Sequence, residues 1–272
     1  MQVKVSVIVP CYNYAKYLPF ALDSVLAQDM EHWECIVVDD GSGDETGRVA
    51  REYVHKDARF KYVYQQNRGL SAARNTGVEN SLAEYLQFLD ADDLIDSGKL
   101  SKQAAYLDAN GGVDVVYGDE QFFHTERPEE KIEGRNKEDN KYQYLKRSGR
   151  GVEMMEAFCV DNFIPVSAPL VRRSLVDKIG DFDTSYRSYE DWHFWFRATM
   201  ADAGFKYFPE DGTETFIRFG HTSMLSNKNR IVEAGIKLRQ FMMPELPLRL
   251  KGYNAYRLLR LYAHKAALAV KK

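Results

Sequence analysis

Three carboxylates fall within four positions at Asp90, Asp92 and Asp93, directly after the apolar run Leu86-Gln87-Phe88-Leu89. Read as a strand running into a loop, this stretch delivers Asp90 and Asp92 to the carboxyl edge of a sheet, where ligands of open α/β sheets sit. Crowded carboxylates repel one another, and a cation offsets that repulsion. Oxygen ligation completed by waters and phosphates suits Mg²⁺ or Mn²⁺ better than zinc. The alternative is a solvated acidic turn that caps the next helix. Other residues fall where they could share the same ligand. Tyr12 offers a flat aromatic face for stacking on a base. Asp40 can accept hydrogen bonds from a base edge or a ribose hydroxyl, and Arg74 can reach a base or a phosphate. Singly these read as packing, a turn former and a solvated helix face. Their joint placement after successive strands favours one ligand site.

The elements that must position these residues follow from periodicity. Val3–Val9 is apolar, β-branched and short, as a buried strand should be, and Pro10 is expected to end it. A helix follows with Leu18, Leu22, Val25 and Leu26 on one face. The second strand, 34–38, ends at Asp39-Asp40-Gly41-Ser42, and a helix is predicted over 45–54. A third strand over 60–64, a helix over 71–81 and a fourth strand over 85–89 lead to the acidic cluster. This alternation predicts a parallel sheet with helices on both faces. The pattern breaks after Tyr117, and 126–150, dense in Glu, Lys, Arg and Asn, is expected to be a mobile surface excursion. Order returns near 163–171, then a short helix over 175–179, an aromatic-rich helix opening at Glu190-Asp191, and a strand over 215–219 that reaches His221. From about Asn227 the chain reads as helical, broken near Pro244 and Pro247.

Composition sets the outer limits. The 272 residues are 44% hydrophobic and 28% charged, an ordinary globular balance. A net charge of -3 argues against nucleic acid as the main partner. Cys11, Cys35 and Cys159 form neither a zinc pattern nor a disulfide framework, which fits a reducing cytosol. The N-terminus reads as a strand rather than a signal peptide, and no apolar run approaches the ~18 residues of a membrane span. The expected location is the cytoplasm, including the inner face of the cell membrane.

With these motifs in place, the sequence resembles the family-2 glycosyltransferases of bacterial glycan biosynthesis, which have the GT-A fold. The matching segments are VSVIVPCYN (5–13), VVDDGS (37–42), NRGLSAARNTG (67–77), FLDADD (88–93), IPVSAPLVRRSLVDKIGDFD (164–183) and SYEDWHFWFR (188–197), with His221 and Ser226 downstream. They stand in the family's order over roughly residues 3–226. The resemblance implies a nucleotide-binding half over 1–117, an acceptor and catalytic half over 118–226, and a helical extension over 227–272. It implies that Pro10, Tyr12, Asn13, Asp40, Arg74 and Asp90 bind the nucleotide sugar. Asp90 and Asp92 become the DXD pair, with Asp92 the direct ligand of Mn²⁺ or Mg²⁺, and His221 a further metal or diphosphate ligand. Asp191 becomes the general base of the ED motif; as ordinary structure, Glu190-Asp191 would be favourable charge at a helix N-terminus. The aromatics beside it, and Cys11, read as core.

The implied reaction is inverting transfer of a sugar from a nucleoside diphosphate donor, a UDP-sugar first, to a hydroxyl of a glycan or lipid-linked glycan. A dinucleotide oxidoreductase fits less well, because Thr46 breaks the G-x-G-x-x-G spacing of Gly41, Gly43 and Gly47. A nucleotidyltransferase would need a Gly-rich basic loop after the first strand. A catalytically idle sugar-nucleotide-binding protein would need no base. The tail from Lys251 mixes Tyr253, Tyr256, Leu258, Leu259, Leu261 and Tyr262 with Arg257, Arg260 and Lys265. It suits a helix on an anionic membrane or one packed on the catalytic domain with a solvated basic face. The resemblance to enzymes acting on lipid-linked glycans favours the membrane.

Overall fold

A computed structural model describes residues 3–125, 127–132, 146–219 and 228–270. Its first half is the predicted alternation: β1 (Val5–Cys11), α1 (Leu18–Leu26), β2 (Trp33–Asp39), α2 (Thr46–Lys56), β3 (Phe60–Tyr64), α3 (Leu70–Glu79) and β4 (Tyr85–Phe88). Then come β5 (Leu94–Ile95), α4 (Lys99–Ala109), β6 (Val115–Tyr117), β7 (Glu120–His124), β8 (Arg127–Ile132), β9 (Gly149–Arg150) and α5 (Gly151–Val160). The rest is β10 (Pro169–Arg172), α6 (Arg173–Ile179), α7 (Glu190–Met200), β11 (Gly204–Tyr207), β12 (Thr215–Phe219), α8 (Lys228–Glu245) and α9 (Leu248–Val270).

Eight strands form the main sheet in the order β3-β2-β1-β4-β10-β6-β11-β9. β1 lies between β2 and β4, parallel to both, and all seven of its residues are buried. Its alternate side chains feed two cores: Val5, Val7 and Val9 pack with α1, α2 and α4, whereas Ile8 packs on the opposite face with α5, α7 and α8. Trp192, Phe194, Trp195 and Phe196 of α7 are buried in that second core, as expected of the aromatic helix. Each such ring removed from water contributes about 1.5–3 kcal/mol. Leu238 and Met242 of α8 join the same core.

Several expectations are corrected. Pro10 does not end β1, which runs on to Cys11 with Pro10 opposite Val38. The carbonyl of Ile8 faces β4 and that of Cys11 faces β2, so the missing N–H of Pro10 points toward the β4 side. There the β4 pairing has already stopped at Ile8–Phe88, and no ladder bond is lost. The central sheet is mainly parallel, as expected, with β10 antiparallel between β4 and β6 and β9 antiparallel to β11. Of the stretch expected as a mobile surface excursion, β8 pairs antiparallel to β7 and β9 pairs with β11, while 133–145 lie outside the described residues. The helical break expected near Pro244 and Pro247 falls at 246–247, with Pro244 taken into the last turn of α8. A second sheet, in the order β5-β12-β7-β8, has no counterpart in the sequence reading. Its β5 begins immediately after Asp93.

Candidate active site

The loops after β1, β2 and β3 are tied into one edge. Asn13 takes a left-handed conformation (φ 58°), which asparagine tolerates better than most residues. Its N–H donates to Ser42 Oγ at 2.9 Å, and its Oδ1 accepts from Gly43 N–H at 2.8 Å. Beside it Tyr12 leaves 48% of its surface exposed, a ring open to stacking. Pro10, one position before Cys11, is buried beneath them. Gly41 (φ 79°) is needed where a Cβ would come within 2.8 Å of the Asn67 amide.

Asp40 is buried, and its carboxylate is already engaged. Oδ1 accepts from Gln65 Nε2 at 2.6 Å and Arg68 N–H at 2.9 Å, and Oδ2 accepts from Gly69 N–H at 2.8 Å. The residue thus shapes the turn into α3. Arg74 is deeper than its predicted surface role suggests, with 1% of its surface exposed. Nη1 donates to Glu190 Oε1 and Nη2 to Asp90 Oδ1, both at 2.8 Å. Its Nε–H meets no acceptor among the described residues. The guanidinium therefore joins the acidic loop after β4 to the start of α7, bringing together two motifs that are 100 residues apart in sequence (Asp90 to Glu190).

The acidic loop is held from three sides. The Asp90 N–H donates to Ser167 Oγ at 3.1 Å, and that hydroxyl donates to Asp93 Oδ2 at 2.7 Å. The Arg218 N–H donates to Asp93 Oδ1 at 3.0 Å, and its Nε to the Asp92 carbonyl at 2.9 Å. Burial and the neighbouring charge of Asp92 raise the Asp90 carboxyl above its ordinary range, against the pull of Arg74. Burial and the charges of Asp92 and Asp90 raise Asp93 further. Asp93 thus serves inside the fold, while Asp90 keeps about a third of its side chain exposed.

Asp191 is the second residue of α7, which starts at Glu190 directly after Tyr189, a residue in the left-handed region at φ 61°. Such a conformation is costly for a bulky residue and fixes the direction in which the helix starts. Asn162 Nδ2 donates to Asp191 Oδ2 at 2.8 Å, and Trp192 N–H to Oδ1 at 2.7 Å. Burial, then the adjacent Glu190, raise the carboxyl to about 7, opposed by Arg74 and by these two donors. A carboxylate so poised suits proton abstraction near neutral pH. His221 and Ser226 lie outside the described residues. Sequence reasoning missed Asn162, Ser167 and Arg218. Ser167 lay inside a matched segment, but a partner of Asp191 from 29 positions away has no local signature.

Residues 6–180 match the family model described as glycosyl transferase family 2. Glycosyltransferase GlyA of Streptococcus pneumoniae is 46% identical over 93 residues, 34% of this chain and 13% of that protein. An uncharacterized glycosyltransferase of Rickettsia prowazekii is 32% identical over 195 residues, 71% of this chain and 58% of that one. The chain thus spans less than two thirds of these curated relatives. Among solved structures, S. aureus TarS 1–349 in complex with UDP-GlcNAc aligns over 96% of this chain and 72% of its own, with TM-score 0.71 and 22% identity. The mannosyltransferase PcManGT from Pyrobaculum calidifontis, in complex with GDP-Man and Mn²⁺, aligns over 100% and 76%, with TM-score 0.67 and 20% identity. The likeness extends to the fold, an α/β GT-A architecture with a mostly parallel central sheet. Since the matched model covers more than half of the sequence, the chain belongs to glycosyl transferase family 2.

Proposed function

We propose that the chain is an inverting, metal-assisted glycosyltransferase that moves a sugar from a nucleoside diphosphate, a UDP-sugar first, to a hydroxyl of a glycan or lipid-linked glycan. The observation that carries this reading is Asp191: a carboxyl raised to about 7, aligned by Asn162, and bridged through Glu190 and Arg74 to the acidic loop. Tyr12 would stack on the base, with Pro10, Asn13 and Asp40 shaping the edge on which it rests. Arg74 would act from beneath, holding Asp90 in place. Asp191 would take the proton of the acceptor hydroxyl as its oxygen attacks the anomeric carbon opposite the departing diphosphate, which inverts the configuration. Residues 1–226 would form the catalytic unit, with the nucleotide half ending near 117, and 227–272 a helical extension.

The donor set fits a hard cation. Asp90 and Asp92 are crowded enough for mutual repulsion to raise Asp90, a repulsion that Mn²⁺ or Mg²⁺ would relieve. Among the described residues no three His, Cys, Asp or Glu side chains converge to hold an ion. The two carboxylates would therefore share it with diphosphate oxygens, and His221 is the proposed addition. When bound, the ion supplies Lewis-acid stabilisation of the charge on the leaving diphosphate. The neighbours in complex with UDP-GlcNAc and with GDP-Man and Mn²⁺ support this donor class. The test is a screen of UDP-, GDP- and dTDP-sugars for nucleotide release with Mn²⁺ or Mg²⁺. Release that EDTA abolishes and Asp92→Ala removes with the fold intact is expected; full activity in EDTA would refute the metal assignment.

A further inference from the structure

Helix α9 has two faces with different duties. One is fixed to the body of the protein: Asn254 is buried and exchanges hydrogen bonds with the Arg239 carbonyl (2.9 Å) and Arg239 Nη1 (3.2 Å) of α8. Arg257 donates to the Val160 carbonyl at the end of α5 at 3.3 Å, and Leu261 lies against Gly235 of α8. These contacts set the rotation of the helix. The opposite face therefore points outward, and it is apolar. At helical spacing it carries Leu248, Gly252, Tyr256, Leu259 and Ala263, with Tyr262 at its edge, where the hydroxyl accepts from Gln240 Nε2 of α8 at 3.0 Å. Leu248 is 87% exposed, Leu259 67% and Tyr256 56%.

Charge borders this stripe on both sides. By the 100° step of a helix, Arg249 and Arg260 flank one edge, and Lys251 and Lys265 the other. No Asp or Glu occurs between Leu248 and Val270, although the whole chain carries a net charge of -3. Arg249 pairs with Glu156 and Lys265 with Glu233 at 3.1 Å, but both lysine and arginine remain more than half exposed, and such surface pairs are weak. Long basic side chains at the margins of an apolar stripe can extend to a charged surface while their stems lie along it.

We propose that the outer face of α9 seats the protein on an anionic lipid bilayer, with the Tyr256–Leu259–Tyr262 stripe in the interface and the two basic rows against lipid headgroups. A second copy of the chain is the poorer occupant. Pairing α9 with itself would set arginine and lysine rows against their like, with no acid on the helix to neutralise them. No described helix is long and apolar enough to cross a membrane, so the contact is peripheral. The inference stands apart from the glycosyl-transfer reading, because its measurement involves no turnover.

The test is co-sedimentation of the full chain with phosphatidylcholine vesicles with and without phosphatidylglycerol, over a salt series. Binding should be at least about tenfold tighter on the anionic vesicles, from about 1 kcal/mol per basic residue near the surface, and should weaken as salt rises. Leu259→Glu should abolish it with the circular dichroism spectrum and Tm unchanged. Tyr256→Gln combined with Leu259→Gln repeats the test without adding charge. No binding by the unaltered chain at low salt, or undiminished binding by folded variants, would overturn the proposal. So would a dimer of the unaltered chain that these substitutions dissociate and that ignores vesicles.

Discussion

At neutral pH the Asp191 carboxyl, raised to about 7 by burial and by Glu190, divides between its acid and base forms. A base must be ionised to act, so kcat/KM should rise with pH through about 7 and level off above it. Asp191→Asn keeps the shape and removes the proton acceptor. Turnover should fall about 10²- to 10⁴-fold, with donor affinity by calorimetry little changed; normal turnover would move the role to another group. The same shift acts on stability. In the unfolded chain an aspartate titrates near 4. A folded-state value raised to about 7 means that the folded protein holds its proton more tightly, so stability is lost as pH rises from about 4 through 7. Asp191→Asn lacks this loss, so its Tm should move upward relative to the unaltered protein between pH 5 and pH 8, whatever constant offset the changed hydrogen bonds to Asn162 and Trp192 introduce. At this scale the sequence disclosed the type of each candidate group but not its partners. Asp191 stood out by the motif around it, whereas Asn162, which orients it, sits on a stretch with no pattern of its own.

Helix α3 shows what an element contributes. One turn turns Arg74 toward the acidic loop and α7, and the next presses Gly77 onto β1, where an added Cβ would lie 2.2 Å from Ile8 Cγ2. Gly77→Ala should therefore cost about 1–3 kcal/mol in urea unfolding, because the helix must lift from a fully packed strand. Arg74→Met should cost more, about 3–5 kcal/mol, since it leaves the buried Glu190 and the part-exposed Asp90 without their cation. It also carries a signature that a merely structural loss lacks. Arg74 holds the Asp191 carboxyl down, so in the variant the kcat/KM profile should move to higher pH; an unmoved profile would show that the guanidinium does not reach the base. The helix itself was legible in the sequence to within two residues, because small and apolar residues repeat at its period and Gly69 opens it. Its Arg74 was read as reaching outward to a base or phosphate. Local spacing cannot reveal that a residue faces inward when its partner, Glu190, arrives from another motif.

Over the whole molecule, legibility follows the separation of the residues that pair. β1 to β4 and their helices are consecutive, each strand long enough to show its pattern, and they were readable. The second sheet was not: β5 is two residues long and pairs with β12 more than a hundred positions later, while β7 joins β12 in parallel across 95 positions (Glu120 to Thr215). Yet this sheet helps to set the active loop. Arg218 of β12 gives its N–H to Asp93 and its Nε–H to the Asp92 carbonyl, and its guanidinium lies 5.0, 5.4 and 4.4 Å from the ring centres of Tyr17, Phe20 and Phe123. It thus joins the start of α1, the acidic loop and the second sheet. Arg218→Met keeps the backbone N–H bond and the length of the side chain but loses the Nε–H donor and the charge over three rings. Stability should fall by about 1–3 kcal/mol. The loss should be local first, with amide exchange quickening at Leu94–Ile95 and Thr215–Phe219 before it does at Val5–Cys11. Because Asp90 and Asp92 share that loop, kcat/KM should drop as well, and Arg218→Lys should restore part of it by returning the charge without the fork. Uniform exchange across both sheets in the methionine variant would mean that the sheets open together and that Arg218 is no separate fastening between them.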